Sequence, residues 1–202
     1  MAKPEKSLVK YVIDLLIVAF GVFLGILINE RMDQAKMDRN QEKALQYITN
    51  ELKLNHDQLV DIIAYHEQVK ENFLRLEETL SVEDLAGYYH RSEVFSFTKI
   101  EGWNGITLPN YETIAFESAK LSGAIQEFDF ETTQLISKVY KMIDFNADFG
   151  RSVLDKMLEM DSDTKVVDAV GMIKLLTFDV LVTEHQLYQE LGKIIQQLEE
   201  QE

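Results

Sequence analysis

Cysteine is absent from the 202 residues, which excludes disulfides and thiolate metal sites and leaves the redox compartment unassigned. Proline occurs twice and glycine nine times, and neither falls between Asn29 and Leu80, so nothing there interrupts a helix. No run of alternating apolar and polar residues is long enough for a sheet. Glycine-rich phosphate loops, nucleophile elbows and HExxH are all missing. None of His56, His66, His90 and His185 follows an acidic residue by three positions, so the Glu-x-x-His pairs of a di-iron bundle are missing too. The expectation is a protein with no metal, no cofactor and no catalytic activity. Basic charge is also scarce. Twenty Lys and Arg stand against 35 Asp and Glu, a net charge of −15, which argues against nucleic acid and against an anionic membrane surface as partners.

What is present is organised by one stretch, Tyr11 to Ile28, YVIDLLIVAFGVFLGILI. At the helical rise these residues extend about 27 Å, the thickness of a bilayer core. The single charge inside is Asp14, a turn from the start, where a carboxylate reaches the headgroups at modest cost. At about 100° per residue, Asp14, Gly21, Gly25 and Asn29 fall within about 80° of one another. Gly21 and Gly25 form a GxxxG pair, which lets two helices approach closely and predicts self-association or packing on another membrane protein. No small-x-small cleavage pattern follows Ile28, so the stretch reads as an uncleaved signal anchor in an inner membrane. Three lysines and the amino terminus before the span nearly balance Arg31, Lys36, Arg39 and Lys43 after it in the positive-inside count, and a short basic tail is the easier end to retain. The expected orientation is an N-terminus in the cytoplasm and a periplasmic bundle. The first 28 residues carry three lysines and two carboxylates, which leaves −16 on the remainder, a solvated surface that keeps it soluble.

The remaining sequence is helical in pattern. Residues 1–10 form a short basic tail, 11–28 the transmembrane helix and 29–44 a charged connector helix. Residues 45–202 form a bundle domain with an aromatic-rich loop at 88–109. Leu45, Ile48, Leu52, Asn55, Leu59, Ile62, His66, Val69, Phe73, Leu76 and Leu80 keep spacings of three and four, the seam of a bundle or coiled coil. Ser81 with Asp84 restarts a helix that Gly87 ends. Phe95 and Phe97 alternate with polar neighbours, which permits a short extended piece. Asn110 is placed to cap a helix from Tyr111 to Leu121 that Gly123 closes, and Asp129 opens another ending near Met160. Its seam is Leu135, Val139, Met142, Asn146, Phe149 and Val153. Lys165 to Glu199 forms the last helix, with Thr177 and Glu184 in its seam. The expected fold is all-α: the membrane helix continues into an up-and-down bundle of three long helices and one short one.

Two segments carry a resemblance. YVIDLLIVAFGVFLGILINERMDQ, and then YETIAFESAKLSGAI followed by LISKVYKMI, resemble the two signatures of an uncharacterised bacterial family of single-span membrane proteins, one of the numbered domains of unknown function. Asp14, Gly21 and Asn29 take the family's acidic, glycine and asparagine places in the span, and Tyr111, Glu112, Ser122 and Gly123 match the second signature. Arg31 stands near the place where the family often has tryptophan. The likeness covers about a third of the chain. It implies a bacterial membrane-tethered helical domain and brings no activity with it.

Three residue sets are candidates for function. Asp14, Gly21, Gly25 and Asn29 are expected to pack the membrane helix on a second copy or another membrane protein. If the long helices are level at their outer ends, near Leu80, Met160 and Lys165, then His66, Asn146 and Thr177 share one polar layer about 20 Å below the tip. Such a layer either binds a small ligand and responds to pH, or fixes helix register. Phe95, Phe97 and Trp103 either form a partner surface or cap the open end of the bundle. The leading expectation is a protein-binding or scaffold module at the membrane. The alternative is a small-molecule or pH sensor accessory acting through a partner membrane protein.

Overall fold

The computed structural model describes residues 5–200, so the first four residues of the basic tail and the last two of the chain lie outside the described residues. Helix α1 runs without a break from Glu5 to Glu77. Strong helix formers fill its outer part, and the two internal glycines lie in the apolar run, where glycine is common in spanning helices. One window of this helix reaches a mean hydropathy of 2.6, none of it buried against the protein. By length and composition it could cross a membrane. From Lys10 to Arg39 no residue of α1 is covered by the rest of the chain.

Beyond α1 a short helix, α2, spans Val82–Ala86. It opens on a capping box in which Ser81 Oγ accepts from Asp84 N and the Asp84 carboxylate accepts from Ser81 N, satisfying two otherwise free amides. Helix α3 is Ile114–Ser122, α4 is Phe130–Leu158, α5 is Val166–Lys174 and α6 is Leu181–Glu199. Leu175–Val180 joins α5 to α6 as a π-helical segment. No strand occurs among the described residues, and the architecture is all-α. The segments before the 3-10 turn Tyr89–Arg91 and before α5 touch through one antiparallel bridge, Tyr88 with Lys165.

Ion pairs set the helix directions. Lys53 meets Glu199, Glu67 meets His185 and Glu77 meets Lys174, so α5 and α6 run antiparallel to α1. Asn146 meets Thr183 and Lys138 meets Glu190, which makes α4 antiparallel to α6. The chain therefore ascends in α1, returns through residues 92–113 and α3, ascends in α4 and descends in α5 and α6. Lys174 is eight residues past Val166, yet it pairs with the last residue of α1. The descending helix thus overshoots α1 by about 12 Å at the helical rise. Its extra turns are buried against α2, Tyr89 and Phe95.

Two main clusters fill the bundle. The one nearer the apolar run joins Ile48, Leu52 and Leu59 of α1 to Val139, Tyr140 and Ile143 of α4 and Leu187, Leu191 and Ile194 of α6. The outer one joins Val69 and Phe73 to Phe95, Ile100, Val166, Val170 and Ile173. The buried seam of α4 is Ile136, Val139, Tyr140, Ile143, Asn146, Gly150 and Val153. Leu135, Met142 and Phe149 are only partly covered, so the helix is turned slightly from the expected face. Gly150 sits at a close crossing: a Cβ there would stand 2.8 Å from a Leu108 methyl of the returning chain, which would have to turn aside.

Candidate functional site

Three polar positions on α1 hold the rest of the bundle in place. Glu51 accepts from the backbone N–H of Ala115 at 2.6 Å and of Phe116 at 3.2 Å, and from the Tyr140 hydroxyl. Thr113, at the α3 N-cap, makes no side-chain cap bond, so a carboxylate from another helix satisfies the first amides of α3. Asn55 donates to the Glu112 carbonyl and accepts from the Glu112 N–H, both at 2.8 Å. Together they position α3 alongside α1. Asn110 does not cap a helix from Tyr111. The helix begins at Ile114 because Tyr111 and Glu112 are held outside it by Asn146 and Asn55.

His66 is wholly buried, and its Nδ1 lies 2.8 Å from Glu184 Oε2, which is wholly buried as well. Nδ1–H donates and the carboxylate accepts. His66 Nε2 and Glu184 Oε1 have no hydrogen-bond partner. One level with them, the Tyr111 hydroxyl donates to Asn146 Oδ1 at 2.6 Å and Asn146 Nδ2 donates to Thr183 Oγ1 at 2.8 Å. Burial, and then the negative charge of Glu184, push the Tyr111 hydroxyl far above its ordinary value, so it stays protonated and able to donate. The layer lies between most of the inner apolar cluster, which reaches Ile63 on α1 and Ile143 on α4, and the outer one, which begins at Val69 and Ile173.

Thr177 does not belong to this layer. Its hydroxyl donates to the Ile173 carbonyl on its own helix at 2.8 Å, and it stands seven residues before Glu184 in the descending helix, about 10 Å higher. Aligning the helices at their outer ends misplaced it, because the last helix overshoots α1 by two turns. Glu184 and Thr183 take its place. Glu184 was visible in the seam of the last helix, and a carboxylate at an apolar seam position is a signal for a buried partner. His185, next to it, points outward to Glu67 at 3.0 Å.

The aromatic loop closes the outer end. Phe95 is fully buried, Phe97 and Trp103 are part-buried against it, and the three rings pack in sequence at 6.2 and 5.5 Å between centroids. Phe95 presents nothing to a partner. The expected extended piece is instead a 3-10 turn, Phe97–Lys99. Tyr65 of α1 fixes the loop by donating to the Gly105 carbonyl and accepting from the Asn104 N–H.

The open surface lies elsewhere. A groove of about 830 Å³ runs between α1 and α3 from Met37 to Leu54, with Glu112 to Glu127 on its other side. Small residues make its floor: Ala44, Ala115, Ala119, Ser118, Gly123 and Ala124. Tyr47, Leu54 and Ile114 stand exposed on its walls. Gly123 closes α3 in the left-handed region at φ 78°, a conformation glycine adopts freely, and this turn sends the chain under the groove into α4. The groove ends at Leu54, twelve residues or about 18 Å along α1 from His66.

Gly21 and Gly25 have nothing within 4 Å of where a Cβ would stand, and Asp14 and Asn29 are exposed. Asn29 donates to Asp33 one turn on. Among the described residues, no group of three or more His, Asp or Glu is arranged to hold a metal ion.

The chain matches no protein-family model, no curated protein and no solved structure. What it does must be argued from its own residues.

Proposed function

We propose that the protein is a single-pass membrane-anchored helical bundle that binds a protein partner and acts as a binding or scaffold module without catalysis. The observation that carries this reading is the groove. It begins nine residues past Ile28 on the same unbroken helix as the apolar run, about 14 Å along the axis, and its lining is mostly apolar with exposed large side chains. An exposed apolar concavity of this size is the kind of surface that a partner helix covers. On this reading the apolar run lies in the bilayer with the N-terminus in the cytoplasm and the bundle outside, so that the groove faces another membrane protein's juxtamembrane segment; the hydropathy of the run supports it. The family resemblance at Asp14, Gly21 and Asn29 agrees with a tethered domain of this kind.

The test is a photo-crosslinking residue at Tyr47 or Ile114 in intact membranes, with a third at Gln46 off the groove. Discrete adducts from the two groove positions and none from Gln46 are expected. Monomer at all three positions would end the reading.

A second reading, a sensor accessory, is favoured by one observation: His66 Nε2 and Glu184 Oε1 are buried and unpartnered. Water or a small polar ligand at that level would satisfy both atoms. A calorimetric titration across candidate ligands, with His66→Gln as control, tests it.

A further inference from the structure

Resting on the reading above that the groove takes a protein helix, we infer that its occupant is α1 of a second copy of this chain, running parallel from the same membrane. An occupant that enters the groove from the bilayer side must leave the membrane beside α1, rise parallel to it and stay helical for the five turns between Met37 and Leu54. This chain's own α1 has that form.

The azimuths agree. At about 100° per residue, Gly25, Asn29, Met32, Asn40, Tyr47 and Leu54 lie within about 80° on one side of α1. None of these side chains is covered within the chain. A helix that follows α1 upward from the lipid along this side arrives in the groove without crossing over.

The patch is also self-complementary, as a two-fold interface requires. It carries large projections, Tyr47 and Leu54, beside a floor of alanine, serine and glycine that admits projections. Charge is divided between its walls. Lys43 stands on α1, where the Glu51 carboxylate is taken up by the Ala115 and Phe116 amides, and Glu112 and Glu127 stand on the α3 side. A two-fold axis along the membrane normal seats each α1 between the other copy's walls and brings Lys43 of one against Glu112 and Glu127 of the other. On a chain of net charge −15, most other faces would bring acid against acid.

The absence of cysteine makes the test direct, because one introduced thiol is the only thiol. Asn40→Cys and Tyr47→Cys on the groove side, and Asp38→Cys and Glu42→Cys on the exposed far side, are oxidised in native membranes. Equivalent positions on parallel seated helices bring the Cα atoms near the disulfide range of about 4.4–6.8 Å. Disulfide dimers of twice the chain mass, confirmed with two differently tagged copies, are expected at 40 and 47 and not at 38 or 42. Adding Ser118→Trp, which fills the groove from an exposed position, should abolish the Asn40→Cys dimer. Dimers at all four positions, or a dimer that survives Ser118→Trp, would overturn the inference. So would two further results, which separate it from the proposed function. Thiols at 40 and 47 shielded from maleimide without any dimer mean that a different protein fills the groove and the binding reading stands. Thiols alkylated as fast as the controls mean that both fall.

Discussion

The outer half of the bundle is filled by rings, whereas the half nearer the apolar run is lined on one side by alanine, serine and glycine. Phe73, Phe95 and Ile100 are buried in the outer half, with Tyr89, Phe97 and Trp103 packed around them. In the inner half Ala44, Ala115 and Ala119 stand where larger side chains would close the space between α1 and α3. The difference teaches where the chain is complete by itself. Rings that fill a cap leave no room for a visitor, while a floor of small residues held open by Glu51 and Asn55 is stable and uncovered. Between the halves sits the His66, Glu184 and Asn146 layer, which belongs to neither apolar cluster.

Breaking the outer half should cost most. Phe95→Ala removes a fully buried ring and is expected to destabilise the protein by about 3–5 kcal/mol, measured by denaturant unfolding in detergent. Breaking the layer should cost a similar amount. Glu184→Leu leaves His66 buried without its carboxylate and should cost about 3–5 kcal/mol, while His66→Leu with Glu184→Leu recovers most of that loss. If the double variant is no more stable than the single, the pair is not a self-contained unit. In the inner half, Glu51→Gln keeps the shape but weakens the charged acceptor shared by Ala115, Phe116 and Tyr140, for an expected loss of about 1.5–3 kcal/mol. Hydrogen exchange should show the α3 amides opening first, and unchanged protection there would refute the capping role.

Acid sharpens the comparison further. Hydrogen bonds from the Ser81 amide, the Thr132 side chain and the Asp163 amide hold Asp84, Asp129 and Asp161 below the usual carboxylate value. Their contribution is fully present above the unfolded value near about 4 and is lost as pH falls through the depressed folded values. The share of the melting temperature due to these three groups should therefore be lost only below about pH 4, and Asp84→Asn with Asp161→Asn should flatten the acid drop. The smallest effect is expected in the groove. Tyr47→Ser alters an exposed side chain and should change stability by less than about 0.5 kcal/mol while reducing adducts from Ile114. A large loss of stability there would mean that the groove is part of the fold and not a binding surface.

Much of this organisation was legible from residue types. The caps at Ser81 and Asp129, the closure of α3 at Gly123 and the long helices all follow from local preferences that act within a few residues. His66 and Asn146 stood out as polar positions in apolar seams, and the structure brings them to one level. The third member did not follow, because Thr177 and Glu184 occupy the same seam and only the vertical offset of the descending helix chooses between them. That offset depends on α2 and the loop rings stacking above the end of α1, which no local pattern encodes. Asn110 failed as a cap for a similar reason: Glu51, more than sixty residues away, does the capping of α3.

By itself the amino-acid order determined that the chain is helical, that one segment is apolar enough to cross a membrane, and that Asn55, His66, Asn146, Thr177 and Glu184 lie on the buried seams, since propensity and hydropathy are properties of neighbouring residues. Only the tertiary structure decided that Glu184 meets His66, that the aromatic rings are core, and that a groove stays open between α1 and α3. Those outcomes depend on how far one helix slides along another, and sliding is settled by side-chain shape and by the pairing of buried polar groups across the bundle.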